Sequence, residues 1–185
     1  MNDVMHTKLF FLASMVSFSI AMFSTGVIQA QNFPSIKTTQ PDGEVIDVPQ
    51  DLDGKKSIIF LAFTADAEGM LDNWYAPVYT MFIDESGINA LAYDCHVKLV
   101  MMFTGLGQSL ADQVMEKITE NVDESMNDYL LFYEGDFRDQ MKALSLRKKD
   151  DAYVFVLDES GKIIFQDSGG YSESKLEKIA SLVEL

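Results

Sequence analysis

The sequence predicts an α/β fold: a three-layer α/β/α sandwich on a central mixed sheet, closed at the C-terminus by a β-hairpin and a helix. Three observations predict it. Ser57 to Phe63 is a nearly unbroken apolar run rich in β-branched and aromatic residues, as expected of a strand buried on both faces. Met70, Leu71, Trp74, Val78, Met81 and Phe82 then recur at the helical period, so the strand feeds a helix at once. The same alternation returns downstream and gives way to two short apolar runs around Asp158-Glu159-Ser160-Gly161, which read as a hairpin.

Composition bounds what such a fold can do. With 48% hydrophobic and 23% charged residues, the 185-residue chain suits one globular domain with a sizeable core. A formal net charge of -15 repels nucleic-acid phosphates and anionic lipid heads, which excludes DNA and RNA as expected partners. The single cysteine excludes an intramolecular disulfide.

Taken in order, the chain opens with an export signal. Leu9 to Ala30 carries no charge, follows Lys8, and ends Val27-Ile28-Gln29-Ala30, so residues 1–30 read as a signal peptide cut after Ala30. Its Ser, Thr and Gly content suits a removed segment better than a membrane anchor, and no further membrane contact is expected. The domain is then 31–185, exported to a periplasm or secreted. Residues 32–54 are punctuated by Pro34, Pro41-Asp42-Gly43 and Pro49 into short extended pieces, of which Val45 to Val48 reads as an edge strand.

After the first buried strand, Asp66 is the expected N-cap of the first helix, and Asp84-Glu85-Ser86-Gly87 its stop, with Gly87 in the left-handed cap. His96 to Phe103 is a second buried strand. Ser109 and Asp112 form a capping-box start for a helix whose apolar stripe is Ala111, Val114, Met115, Ile118 and Val122. Tyr129 to Tyr133 is a third strand, and Asp136 caps a short helix that points Phe137, Met141 and Leu144 inward. The hairpin comprises Tyr153 to Leu157 and Lys162 to Gln166. Ser172 caps the closing helix, with Tyr171 and Leu176 at staple positions and Ile179, Ala180 and Val183 on the buried face. The methionines at 70, 81, 115 and 141 lie on apolar stripes and read as core.

Few residues offer chemistry. Asp94-Cys95-His96 places three metal-ligand types in a row, but neighbours along a strand point to opposite faces and cannot converge on one ion, so no metal site is expected. His96 is the only histidine after the signal, which leaves no other base for a nucleophile. Arg147-Lys148-Lys149 is the one basic cluster, a solvated loop or a docking loop.

From about Phe33 to Glu184 the chain resembles the redoxin branch of the thioredoxin-like superfamily. The resemblance is carried by Tyr153-Val-Phe-Val-Leu-Asp-Glu-Ser-Gly-Lys-Ile-Ile-Phe165, similar to that family's hairpin, and by the turn pattern Phe33-Pro34, Asp42-Gly43 and Asp51 to Lys55 before the first core strand. It is similar to redox-inactive exported members and, more distantly, to mitochondrial ATP-synthase assembly factors, which combine a Trp-x-x-Pro helix (here Trp74 to Pro77), a Tyr-x-Gly turn (Tyr133 to Gly135) and this hairpin. The resemblance implies a Cys-x-x-Cys pair near Gly69 and Asp72, counted back from Pro77, and a proline before the hairpin. Neither is present, because Arg147 to Ala152 holds the proline's place. It also implies that Arg147, Lys148 and Lys149 lie against Asp66, Glu68 and Asp72, making a charged surface for a protein partner.

The expected function is therefore a non-catalytic, cofactor-free binding or assembly module for a partner in the cell envelope. The alternative is a thiol or peroxide oxidoreductase acting through Cys95, which would need that thiol exposed and acidic. Tyr93, Val97 and Leu99 around it read as sheet interior.

Overall fold

A computed structural model describes residues 31–185 apart from 53, 122 and 123. The predicted signal, Asp53 of the entry turn and Val122 of the helical stripe lie outside the described residues. Among the described residues seven strands form one mixed sheet: β1 (Ile36–Thr39), β2 (Val45–Val48), β3 (Ser57–Ala62), β4 (His96–Thr104), β5 (Leu130–Gly135), β6 (Tyr153–Leu157) and β7 (Ile163–Ser168). Their order is β2-β1-β5-β4-β3-β6-β7, so β3 is interior, as its unbroken apolar run predicts, and β2 and β7 are the edges. The centre is parallel, β5 on β4 on β3, and every outer pairing is antiparallel. The α-helices among the described residues are α1 (Ala65–Val78), α2 (Ala111–Asn121), α3 (Arg138–Ala143) and α4 (Glu173–Val183), and they cover the sheet. This is a thioredoxin-like α/β arrangement.

Alternation along the strands sorts the core into two layers. Ile58, Phe60 and Ala62 of β3 face one way with Val154 and Val156 of β6, packing on Leu71 and Trp74 of α1 and Leu176 and Ile179 of α4. Farther along that face Phe103 and Phe132 receive α2 through Ala111, Val114, Met115 and Ile118. Ile59 and Leu61 point to the other face with Val100, Leu131 and Phe155, covered by Phe137 and Leu144 around α3 and by Phe33, Val48 and Leu52 from the N-terminal segment. Trp74, 1% exposed, ties three elements together: its ring meets Phe60 at 5.3 Å and Tyr171 at 5.4 Å, and its indole N–H donates to the Gly169 carbonyl at 3.3 Å. Fully burying side chains of this size contributes roughly 1.5–3 kcal/mol each.

Several local readings need correction. The sequence reading of residues 32–54 names one strand, whereas Ile36–Thr39 is a second, held by β2 on one side and by Thr39 opposite Phe132 on the other. The N-cap of α1 is Thr64, whose hydroxyl accepts from the Ala67 N–H at 3.4 Å, and Asp66 sits inside the first turn. The helix does not stop at a left-handed glycine. It widens into a π-helical turn over Tyr79–Ile83, and Gly87 has φ -75°. Asp84 instead makes an Asx turn, its Oδ1 accepting from the Ser86 N–H at 3.0 Å. A 3-10 segment, Gly105–Leu110, precedes α2, and the Ser109 hydroxyl donates back to the Leu106 carbonyl rather than capping the helix. Asp136 acts on the start of α3 from one residue further out than expected, accepting the Arg138 N–H at 3.1 Å while Phe137 takes the cap position. Ser172 caps α4 as predicted.

Candidate functional site

The parallel strands end together at one edge of the domain, and there β3 turns into α1. Thr64 stands at the helix mouth with both functions of its hydroxyl engaged, accepting from Ala67 N–H and donating to the Lys149 carbonyl at 3.4 Å. Asp66 and Glu68 fill the first turn with carboxylates, which compensates the positive end of the helix. Burial, and then the charge of Asp72, raise the Glu68 carboxyl above its ordinary range. Gly69 and Asp72 lie in the second turn, one turn deeper than the groups a helix N-terminus can activate. The helix begins further from Pro77 than the motif spacing implies, and no residue of its first turn is a cysteine.

The loop before β6 does reach this mouth. Tyr153 pins it, its hydroxyl accepting from the Lys148 N–H at 2.9 Å and donating to the Lys148 carbonyl at 2.7 Å. The loop meets the helix by backbone, through Thr64 and Lys149, and not by charge. Among the described residues no ion pair joins Arg147, Lys148 or Lys149 to Asp66, Glu68 or Asp72. Lys149 turns away instead, donating to the Thr104 hydroxyl at 2.7 Å and lying 6.0 Å over the Phe63 ring. Arg147 and Lys148 line a separate hollow with Asp151 and Asp167. The sequence reading missed Arg138, which lines a cleft with Lys149, grips the Asp136 carboxylate with Nε and Nη2 at 3.0 and 2.5 Å and holds its pKa down at about 2. The crowding of cations from Arg138 to Lys149 was the available signal.

Cys95 lies at the opposite end. It precedes β4, whose first residue pairs with Ser57 at the start of β3, so about eight residues of strand, roughly 25 Å, separate it from Thr64. It packs half-buried in the α1/α4 layer with Tyr93 and Leu99. Burial and the neighbouring Asp94 push its thiol up to about 12, outweighing Lys55 and Lys56. Asp94 is paired with Lys55 at 2.7 Å. Among the described residues no group of three His, Cys, Asp or Glu side chains could hold a metal ion. Lys98, buried at 8% exposure, donates to the Asp128 carbonyl, and burial lowers its pKa.

No protein-family profile matches the chain, and no curated protein matches it by sequence. Solved structures do match. The chain is similar to the pneumococcal exposed lipoprotein thioredoxin Etrx1 of Streptococcus pneumoniae strain TIGR4, with a TM-score of 0.53 at 13% identity over 78% of this chain and 99% of that one. A thiol:disulfide interchange protein of the thioredoxin family from Chlorobium tepidum TLS gives 0.51 at 13% identity over 84% and 97%. BsSco, of the Sco family of cytochrome c oxidase assembly proteins, gives 0.51 at 10% identity over 83% and 96%. Likeness at such identities is likeness of fold, and the fold is thioredoxin-like. The resemblance to ATP-synthase assembly factors rests on the sequence motifs alone.

Proposed function

We propose that the protein is a non-catalytic thioredoxin-like binding or assembly module that works outside the cytoplasm on a protein partner of the cell envelope. One observation carries the reading: where thiol chemistry needs a cysteine, the mouth of α1 presents Thr64 with its hydroxyl engaged on both sides and carboxylates behind it. The only thiol is at the far end of the sheet, half-buried and poorly acidic. A thiolate is the reactive species, and at neutral pH Cys95 supplies almost none.

The rest is support by analogy. The uncharged run from Leu9 to Ala30 and the neighbouring structure described as an exposed lipoprotein favour export. A neighbour from a family of cytochrome c oxidase assembly proteins favours an assembly role. Among the described residues no helix is long and apolar enough to cross a membrane. The partner surface is the edge made by Asp66, Glu68 and Asp72 together with Arg147, Lys148 and Lys149, read as two adjacent patches of opposite sign.

The test has two arms. The purified protein and Cys95→Ser are assayed for disulfide reduction and peroxide turnover; both are expected to be inactive, and an activity that Cys95→Ser loses overturns the reading. In affinity capture from the native envelope fraction, reversing Asp66 and Glu68 to Lys should release a partner that Cys95→Ser retains.

A further inference from the structure

Two adjacent parallel strands send their connections to opposite faces of this sheet. The chain leaving β4 enters α2 on the α1/α4 side, while the chain leaving β5 enters α3 on the other. A crevice must open between strand ends that diverge in this way, and in open α/β sheets it is where ligands bind. Here it is a cleft of about 390 Å³, with Thr104, Gly105 and Gln108 on one wall, Asp136 and Arg138 on the other, and Lys149 above. We infer that this cleft binds a small organic anion through a carboxylate group.

Its chemistry sets the sign of the ligand. Asp136 is already neutralised by the Arg138 fork, and Lys149 takes part in none of the ion pairs among the described residues. The cleft therefore keeps the ammonium of Lys149 as its net charge, flanked by the amide of Gln108 and the guanidinium edge that Asp136 leaves uncovered. These are hydrogen-bond donors. The surroundings reinforce the contrast: Arg138 to Lys149 holds five cations and one acid in a chain whose formal charge is -15. An anion diffusing over an otherwise repelling surface is drawn to this stretch.

The donor set selects carboxylate over phosphate. A phosphate cradle draws on clustered backbone N–H groups, and the one at the start of α3 is already taken by Asp136. The side-chain donors offered are the Gln108 amide and the Arg138 guanidinium, planar groups that match the two coplanar oxygens of a carboxylate. Sites of this size hold small metabolites with most of their surface buried. The inference does not depend on whether Cys95 is inert.

The experiment is a titration of the isotopically labelled protein with succinate, citrate and inorganic phosphate at matched ionic strength, followed by amide chemical shifts. The expected result is saturable binding of a carboxylate, with the largest shifts at Thr104, Gly105, Gln108 and Arg138. Binding should weaken at least tenfold in Lys149→Gln and stay unchanged in Lys178→Gln, an exposed lysine of α4 that does not line the cleft. Both substitutions are at exposed positions, and the amide spectrum of each free variant reports that it is folded. Absence of saturable carboxylate binding overturns the inference, as does phosphate binding equally well, or Lys149→Gln binding as the parent does.

Discussion

The two ends of the sheet are built from similar residues and made into opposites. At the carboxyl ends of β3, β4 and β5 charged groups are turned outward: Asp66 on the first turn of α1, Lys149 and Arg138 around a cleft. At the amino ends the only cysteine, a histidine and a lysine stand within four residues of one another, yet tight turns and packing hold them. Asp84 and Asp158 each fold an Asp-Glu-Ser-Gly turn over this end, and Lys98 spends its ammonium on a neighbouring carbonyl. Reactivity here follows from place in the fold and not from residue type: a thiol becomes acidic at a helix N-terminus or beside an uncompensated cation, and at the end where the thiol lies burial and Asp94 outweigh Lys55 and Lys56.

Moving the thiol gives the largest expected effect. In a Cys95→Ser background, Ala65→Cys puts a cysteine on the exposed first residue of α1. With an ordinary pKa of about 8.5 against about 12 for Cys95, its thiolate fraction at pH 7 is about three thousandfold greater, and after the higher intrinsic nucleophilicity of the more basic thiolate its alkylation should be faster on the order of a hundredfold. Equal rates at the two positions would erase the contrast.

The next effect is thermodynamic. The folded-state pKa of Cys95 is raised, so between about pH 8.5 and 12 the unfolded chain gives up this proton and the folded chain keeps it. Stability should therefore fall with rising pH across that window, by up to about 1.4 kcal/mol per unit, and Cys95→Ala should remove that component. Denaturant melts of both proteins at pH 8, 9 and 10 measure it.

Lys98 tests the same end without a thiol. Its pKa is lowered by burial, so the unfolded chain holds the proton more tightly and stability should rise with pH as the folded group discharges. Lys98→Met removes a buried charge that donates to a backbone carbonyl, that of Asp128, and should stabilise by about 1 kcal/mol at pH 7. A loss of that size would mean the ammonium is better solvated than its burial indicates.

The smallest effect belongs to the open end. Glu68 is only partly buried and its carboxyl is raised, so wild-type stability should increase slightly as pH falls from neutral toward its ordinary value. Glu68→Gln should change stability by no more than about 0.5 kcal/mol, in the stabilising direction.

What the sequence made legible was whatever local patterning determines. The Ser57–Ala62 strand, the Trp74 face of α1, the hairpin and the Ser172 cap all follow from spacing within a dozen residues, and the structure places them as expected. Tertiary context decided the rest. Thr64 and Asp66 are both good N-caps, and the choice goes to the residue that can also reach the Lys149 carbonyl. Ile36–Thr39 lies among turn residues and becomes a strand through partners near and far in sequence. The two Asp-Glu-Ser-Gly segments fold alike at aspartate and serine but differ at glycine, with φ +79° at Gly161 and -75° at Gly87, because different elements follow them. The cleft was invisible for the same reason: it exists only because β4 and β5 lie side by side and send their chains apart.

The central claim is that the fold has kept its scaffold while its only thiol is chemically idle. The pH dependence of Cys95 alkylation in the native protein tests it most directly, with the variant lacking that cysteine run in the same disulfide-reduction assay. The account predicts negligible labelling at pH 7, a rate still climbing at pH 10, and no reductase activity in either protein. A labelling midpoint below pH 8, together with an activity that Cys95→Ser abolishes, would contradict it.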